Sequence, residues 1–194
     1  MTSAGRVTRA AEGLLRRRFT VAEVEAMAAA GVMKEDERVE LIGGELVPMS
    51  PKGIRHEVVK KALNRRWVGR IPDDVELIPE TTFRLSEDTY VEPDFVIYPL
   101  RIPLERLAPA DVLLAVEIAD SSLRYDLGPK AALYAAFGVR ELWVVDAVTL
   151  TTRVFREPAA NGYGEMRDFA ASDLLAPLFA PPAFALRLDE LRLI

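Results

Sequence analysis

The 194-residue chain contains no cysteine, which removes a disulfide scaffold, a thiolate metal site and a cysteine nucleophile together. Its single histidine, His56, excludes a multi-histidine metal centre and leaves any Ser-His-Asp triad only that one base. Oxygen ligands remain for a metal, which points to magnesium, manganese or calcium. No apolar run nears the ~20 residues of a membrane helix. The N-terminus carries arginines throughout and has no uninterrupted apolar core, so a signal peptide is not expected and a cytoplasmic location is. There is no internal repeat and no low-complexity tract, and lysine is scarce, at five residues.

Half of the residues are apolar and 28% are charged, the balance of a soluble globular chain. The length suits one domain over residues 1–194. The net charge of −5 argues against an unselective nucleic-acid coat, but it is unevenly spread. Residues 1–18 carry a net +4 and residues 54–70 a net +5, on a remainder of −14. Two basic segments on an acidic body can steer a polyanion, although a solvated helix surface explains them equally simply.

Thr20-Val-Ala-Glu23 fits a capping box that opens a helix, and Gly31 is a natural stop. Two apolar runs around Gly43-Gly44 predict a β-hairpin. A helix is expected over roughly residues 54–70, ended by Pro72, with Val59, Leu63, Trp67 and His56 on one face. Strands are expected at 75–78, 82–85, 91–98, 112–118, 141–146 and 151–155, with a helix starting near Pro129 and closed by Gly138. The nearly continuous apolar runs at 112–118 and 142–145 read as strands covered on both faces, joined by a right-handed crossover. The fold class is therefore α/β, a mixed sheet flanked by helices. Asn161 to Gly164 reads as a turn, and the tail from Asp173 as a packed appendage.

Two acids stand where acids are costly. Asp94 opens an apolar strand and Glu117 lies inside one. Desolvating an ionised carboxylate costs several kcal/mol unless it is paired or bound to a cation. A divalent cation would relieve both groups and their mutual repulsion; a buried salt bridge, for instance to an arginine, is the competing explanation.

Pro93-Asp94, then Glu117 on an apolar strand about twenty residues later, resembles the PD-(D/E)XK nuclease superfamily. The usual lysine two positions after the glutamate is here Ala119. The stretches ERVELIGGELVPMSP, RHEVV, VEPDFVIY, DVLLAVEIADSSLRYDLGPKAALYAAFGVRELWVVD and NGYGE sharpen the likeness to one group within it. That group is the Uma-type family of restriction-endonuclease-like proteins, and the likeness covers roughly residues 19–170. It implies a restriction-endonuclease-like core over about 54–146, an N-terminal helix and hairpin at 20–48 and a C-terminal appendage at 156–194.

The resemblance further implies that Asp94 and Glu117 hold Mg²⁺ or Mn²⁺, which polarises a phosphate oxygen and acidifies water. Family members carry the lysine on the helix after the glutamate strand, which matches Lys130 as the catalytic cation. His56 matches the histidine at the start of the core helix, as an outer ligand, a base or a phosphate contact; a half-buried structural histidine is the plain alternative. Glu40 and Glu45 flank the Gly-Gly turn, where solvated acids are common, and only Glu45 is kept as a helper. Tyr125 and Asp126 are expected at the same mouth.

The implied function is Mg²⁺-dependent hydrolysis of DNA phosphodiester bonds, with phosphate contacts from the helix between Arg55 and Arg70 and from the N-terminal arm. A homodimer is expected on fold analogy alone. The alternatives are a non-catalytic nucleic-acid- or protein-binding module that keeps the fold, and a structural protein whose acids pair with arginine. Nothing in the sequence specifies a recognition site, or DNA over RNA.

Overall fold

Helix α1 (Val21–Ala29) opens on the expected capping box: Thr20 Oγ1 accepts from the Glu23 N–H at 3.2 Å, and Glu23 Oε2 accepts from the Thr20 N–H at 2.9 Å. The computed structural model describes residues 13–34 and 37–193. The basic N-terminal arm expected to touch phosphate lies largely outside them; of its arginines, Arg16, Arg17 and Arg18 are described and pair with Glu45, Glu23 and Asp88.

The hairpin of β1 (Val39–Ile42) and β2 (Glu45–Pro48) turns at Gly43-Gly44, both at positive φ. It joins β4 (Phe83–Ser86) and β5 (Thr89–Val91) in an antiparallel sheet of order β2-β1-β5-β4. A second sheet runs β10-β9-β8-β7-β6-β3. It is built from β3 (Val75–Pro79), β6 (Phe95–Pro99), β7 (Leu114–Ala119), β8 (Glu141–Asp146), β9 (Thr152–Ala159) and β10 (Gly162–Phe169). Among the described residues only β7 and β8 pair in parallel. They are joined by α3 (Leu123–Tyr125), a π-turn at Asp126–Lys130 and α4 (Ala131–Ala136). This is the predicted α/β crossover.

Strand alternation fills two cores. Phe95, Ile97, Leu114, Val116 and Ile118 pack under α2 (Ile54–Val68), against Val59, Leu63 and Trp67. Val96, Tyr98, Ala115 and Ala119 face Tyr134 and Ala135 of α4. The α2 face is the one its periodicity predicts, and the helix stops at Val68 with Gly69 as cap, short of Pro72. The C-terminal segment returns over that helix: the Trp67 indole N–H donates to Phe184 O at 3.0 Å, and Leu175 and Leu186 form a bridge.

Four expectations are corrected. Residues 91–98 form not one strand but two, β5 and β6, in different sheets, because Pro93 has no N–H for a ladder. The helix begins at Leu123 rather than near Pro129. Pro129 sits inside it and widens the turn, so that Ala131 N–H donates to Asp126 O five residues back. The strand expected at 151–155 continues to Ala159. The sheet also extends beyond Asp146 into β10, an exposed edge strand whose polar sequence shows little alternation. Among the described residues no helix is long and apolar enough to cross a membrane.

Candidate active site

Pairing of Phe95 with Val116 and of Val96 with Ala115 carries the register one step further, to Asp94 opposite Glu117. Both acids are buried, and both line a cavity of about 830 Å³ together with Glu40, Lys52, His56 and Lys130. All four residues expected at the site, Asp94, Glu117, Lys130 and His56, therefore surround one space.

Asp94 is held from three directions. His56 Nε2 lies 2.8 Å from Oδ1, the Ile118 N–H donates to Oδ2 at 2.8 Å, and Lys52 Nζ stands 3.2 Å from Oδ1. Burial works to raise the Asp94 pKa, but the His56 hydrogen bond and charge, the Lys52 ammonium and the Ile118 N–H outweigh it and hold it below the ordinary value. His56 is carried there by the first turn of α2, and its other nitrogen lies 3.1 Å from Glu57 Oε1.

Glu117 has a different setting. The Tyr134 hydroxyl donates to Oε1 at 2.6 Å, and Lys130 Nζ stands 2.9 Å from the same oxygen. Burial pushes the Glu117 carboxyl up to about 8; Lys130 opposes this, while Asp94 and Asp126 add to it. Lys130 itself is buried, which favours its neutral form, yet Glu117 and Glu40 outweigh that and raise its pKa above the ordinary value. The Lys130 side chain reaches inward from the last residue of the π-turn. Asp94 and Glu117 thus sit in the buried ion pairs that the structural alternative expected, with lysine and histidine as partners in place of arginine.

Two further residues belong to this cluster: Glu40, set aside from sequence as a solvated hairpin acid, and Lys52, not singled out there. Glu40, on β1, is buried and lies 2.8 Å from Lys130 Nζ. Glu45, the acid kept as a helper, is exposed and paired with Arg16. The two glutamates differ because Glu40 lies in buried β1 and Glu45 opens the more exposed β2. Lys52, from the loop before α2, bridges Asp94 and Glu80. Nothing in the local sequence marks that lysine. Asp126 is buried with Ser122 Oγ donating to it at 2.6 Å, and Tyr125 lines the wall.

The basic face of α2 is partly consumed within the protein. Lys60 lies 2.9 Å from Glu57 and 3.0 Å from Glu80, and Arg55 stands 3.9 Å from Asp120. At the cavity wall, Arg124 is exposed.

Residues 21–189 match the model of the Uma2 family, "Putative restriction endonuclease". The chain belongs to this family. Among solved structures it is similar to a putative nuclease of DUF820 from Anabaena variabilis ATCC 29413. The two share 18% identity at a TM-score of 0.61, over 89% of this chain and 96% of that one. A weaker likeness joins it to the type IIG restriction endonuclease BpuSI, with a TM-score of 0.40 and 16% identity over 66% of this chain and 16% of that one. No curated protein matches it. The fold of this Uma2 member is thus the nuclease fold its sequence motifs resemble, with the central block of those motifs around the cavity.

The cavity's donor set suits a hard cation. Asp94 and Glu117 are the carboxylates that would hold it, and among the described residues no group of three or more acids or histidines is arranged to hold a metal ion. Magnesium is commonly bound through one or two carboxylates, several waters and substrate phosphate.

Proposed function

We propose that the protein hydrolyses DNA phosphodiester bonds with Mg²⁺ or Mn²⁺ held by Asp94 and Glu117, acting in the cytoplasm. The observation that supports this most is the Asp94–Glu117 register pair with the Lys130 ammonium 2.9 Å from Glu117. The bound cation supplies Lewis-acid stabilisation of the phosphate and a water acidic enough to attack. Lys130 places a fixed positive charge, in a water-poor setting, where negative charge grows on the phosphate, and it orients the attacking water. His56 and the Ile118 N–H fix the Asp94 carboxylate in one orientation, which is a positioning role. Tyr134 does the same for Glu117. Pairing of two copies to cut both strands is part of this reading, and a monomeric mass in solution would count against it.

A specific observation favours the second reading, a binding module that keeps the fold: Lys130 between Glu40 and Glu117 already forms a complete ion cluster. Plasmid incubated with Mg²⁺ or Mn²⁺ separates the two. The parent chain should relax supercoiled DNA, and Asp94→Ala should not. Lys130→Met should bind Mn²⁺ normally yet hydrolyse roughly a hundredfold or more slowly, because it removes a charge aimed at the transition state. Glu117→Ala should lose both metal binding and hydrolysis. Equal nicking by the parent and Asp94→Ala would assign the activity to a contaminant, and DNA binding without nicking would select the module.

A further inference from the structure

We infer that Glu40 is a positioning residue for Lys130, an anionic seat supplied by the four-stranded sheet that keeps the lysine beside Glu117 when a cation occupies the site; this rests on the hydrolase reading above. A lysine next to a metal-binding carboxylate has an electrostatic problem. The arriving divalent cation claims the same carboxylate and repels the ammonium, and at a few ångströms in a partly dry cavity this repulsion is substantial. Glu117 alone therefore cannot hold Lys130 in place. Glu40 can: its Oε1 lies 2.8 Å from Lys130 Nζ, and its side chain is 4% exposed. The seat is also fixed. Glu40 Oε1 accepts the Glu92 N–H at 3.2 Å, and Glu92 stands two residues before Asp94. The same glutamate thus ties β1 to the segment that delivers the first metal-binding acid and to the lysine that follows the second.

A glutamate that only anchored the hairpin would affect stability; one that seats Lys130 must act through that lysine. Glu40→Gln keeps the shape and an acceptor but removes the charge. It should lower turnover about 10- to 100-fold, the scale of a catalytic group displaced by an ångström, with Mn²⁺ affinity and DNA affinity unchanged. In the Lys130→Met background the same substitution should cost little further, because the two residues act as one unit. Lysine acetylation read by mass spectrometry gives a signal that does not depend on hydrolysis. Lys130 should be protected in the parent and labelled several-fold faster in Glu40→Gln, with the other four lysines unchanged. Should Glu40→Gln unfold, Glu40→Asp carries the same comparison, since it keeps the charge and withdraws it by one methylene. Unaltered turnover in Glu40→Gln, an equal further loss in the Lys130→Met background, or unchanged labelling of Lys130 would each overturn the inference. A parent chain that shows faster Lys130 labelling in Glu40→Gln but no hydrolysis by any variant would instead overturn the hydrolase reading and leave the seat standing.

Discussion

Glu117 sits inside the apolar strand β7, and its surroundings show what an acid in such a place requires. Tyr134 and Lys130 both serve its Oε1, at 2.6 and 2.9 Å. Tyr134→Phe removes one of these donors and leaves the carboxylate less well served. The variant should lose about 1–3 kcal/mol, the cost of leaving a buried polar group short of a hydrogen bond, in urea unfolding followed by circular dichroism. An unchanged midpoint would show that the Tyr134 hydroxyl does not hold Glu117. The same physical cost made Asp94 and Glu117 visible in the sequence, because an acid in an apolar run needs a partner. Lys130 and His56 were reachable only through the family's motifs. Glu40 and Lys52 were not legible: a glutamate beside a glycine turn and a lysine in a loop look solvated, and the buried partners that draw them in, Lys130 and Asp94, are distant in the chain.

At the scale of elements, the two sheets meet where the chain leaves β5 at Val91 and enters β6 at Phe95. Three residues make that transfer, and the last is Asp94. The hairpin β1–β2 is held to the β4–β5 turn and to the segment before α1 by Gly44, whose N–H donates to Asp88 O at 2.8 Å and whose own carbonyl accepts from Phe19 N–H at 2.9 Å. Its φ is +81°, and an added Cβ would come within 2.5 Å of Arg18 Cβ and 2.9 Å of Arg18 Cα. Gly44→Ala should therefore destabilise the protein by roughly 1–3 kcal/mol, the range for strained backbone, visible as a lower thermal midpoint. An unshifted midpoint would mean that the Arg18 segment slides aside at no cost. Hairpin, core helix and crossover were legible from glycines and apolar periodicity. The break at Pro93 and the π-turn at Pro129 were not, because a proline forbids a hydrogen bond without saying which way the chain will adjust. Strand β10 was hidden for another reason: an edge exposed along most of its length needs no apolar alternation.

For the molecule as a whole, the net charge of −5 and the internal pairing of Lys52 and Lys60 put most of any contact with a polyanion on arginine. On the hydrolase reading, Arg124, exposed on the cavity wall, would meet a phosphate beside the one being cleaved. Arg124→Ala should weaken DNA binding at all sequences alike and reduce the salt slope of log K by about 1, as expected for one lost phosphate contact. Fluorescence anisotropy across a salt series measures both, and an unchanged slope would remove Arg124 from the DNA path. The topology also has a temporal side. The four-stranded sheet is assembled from two stretches of chain, with Leu41 paired to Tyr90 across most of α2 and β3. Closing so long a loop costs entropy before any contact rewards it. During synthesis, Glu40 emerges early and Lys130 only after Asp94 and Glu117, so the ion cluster is completed by a late arrival. On the hydrolase reading, the chain would in this way be inert on the ribosome until most of its length had folded.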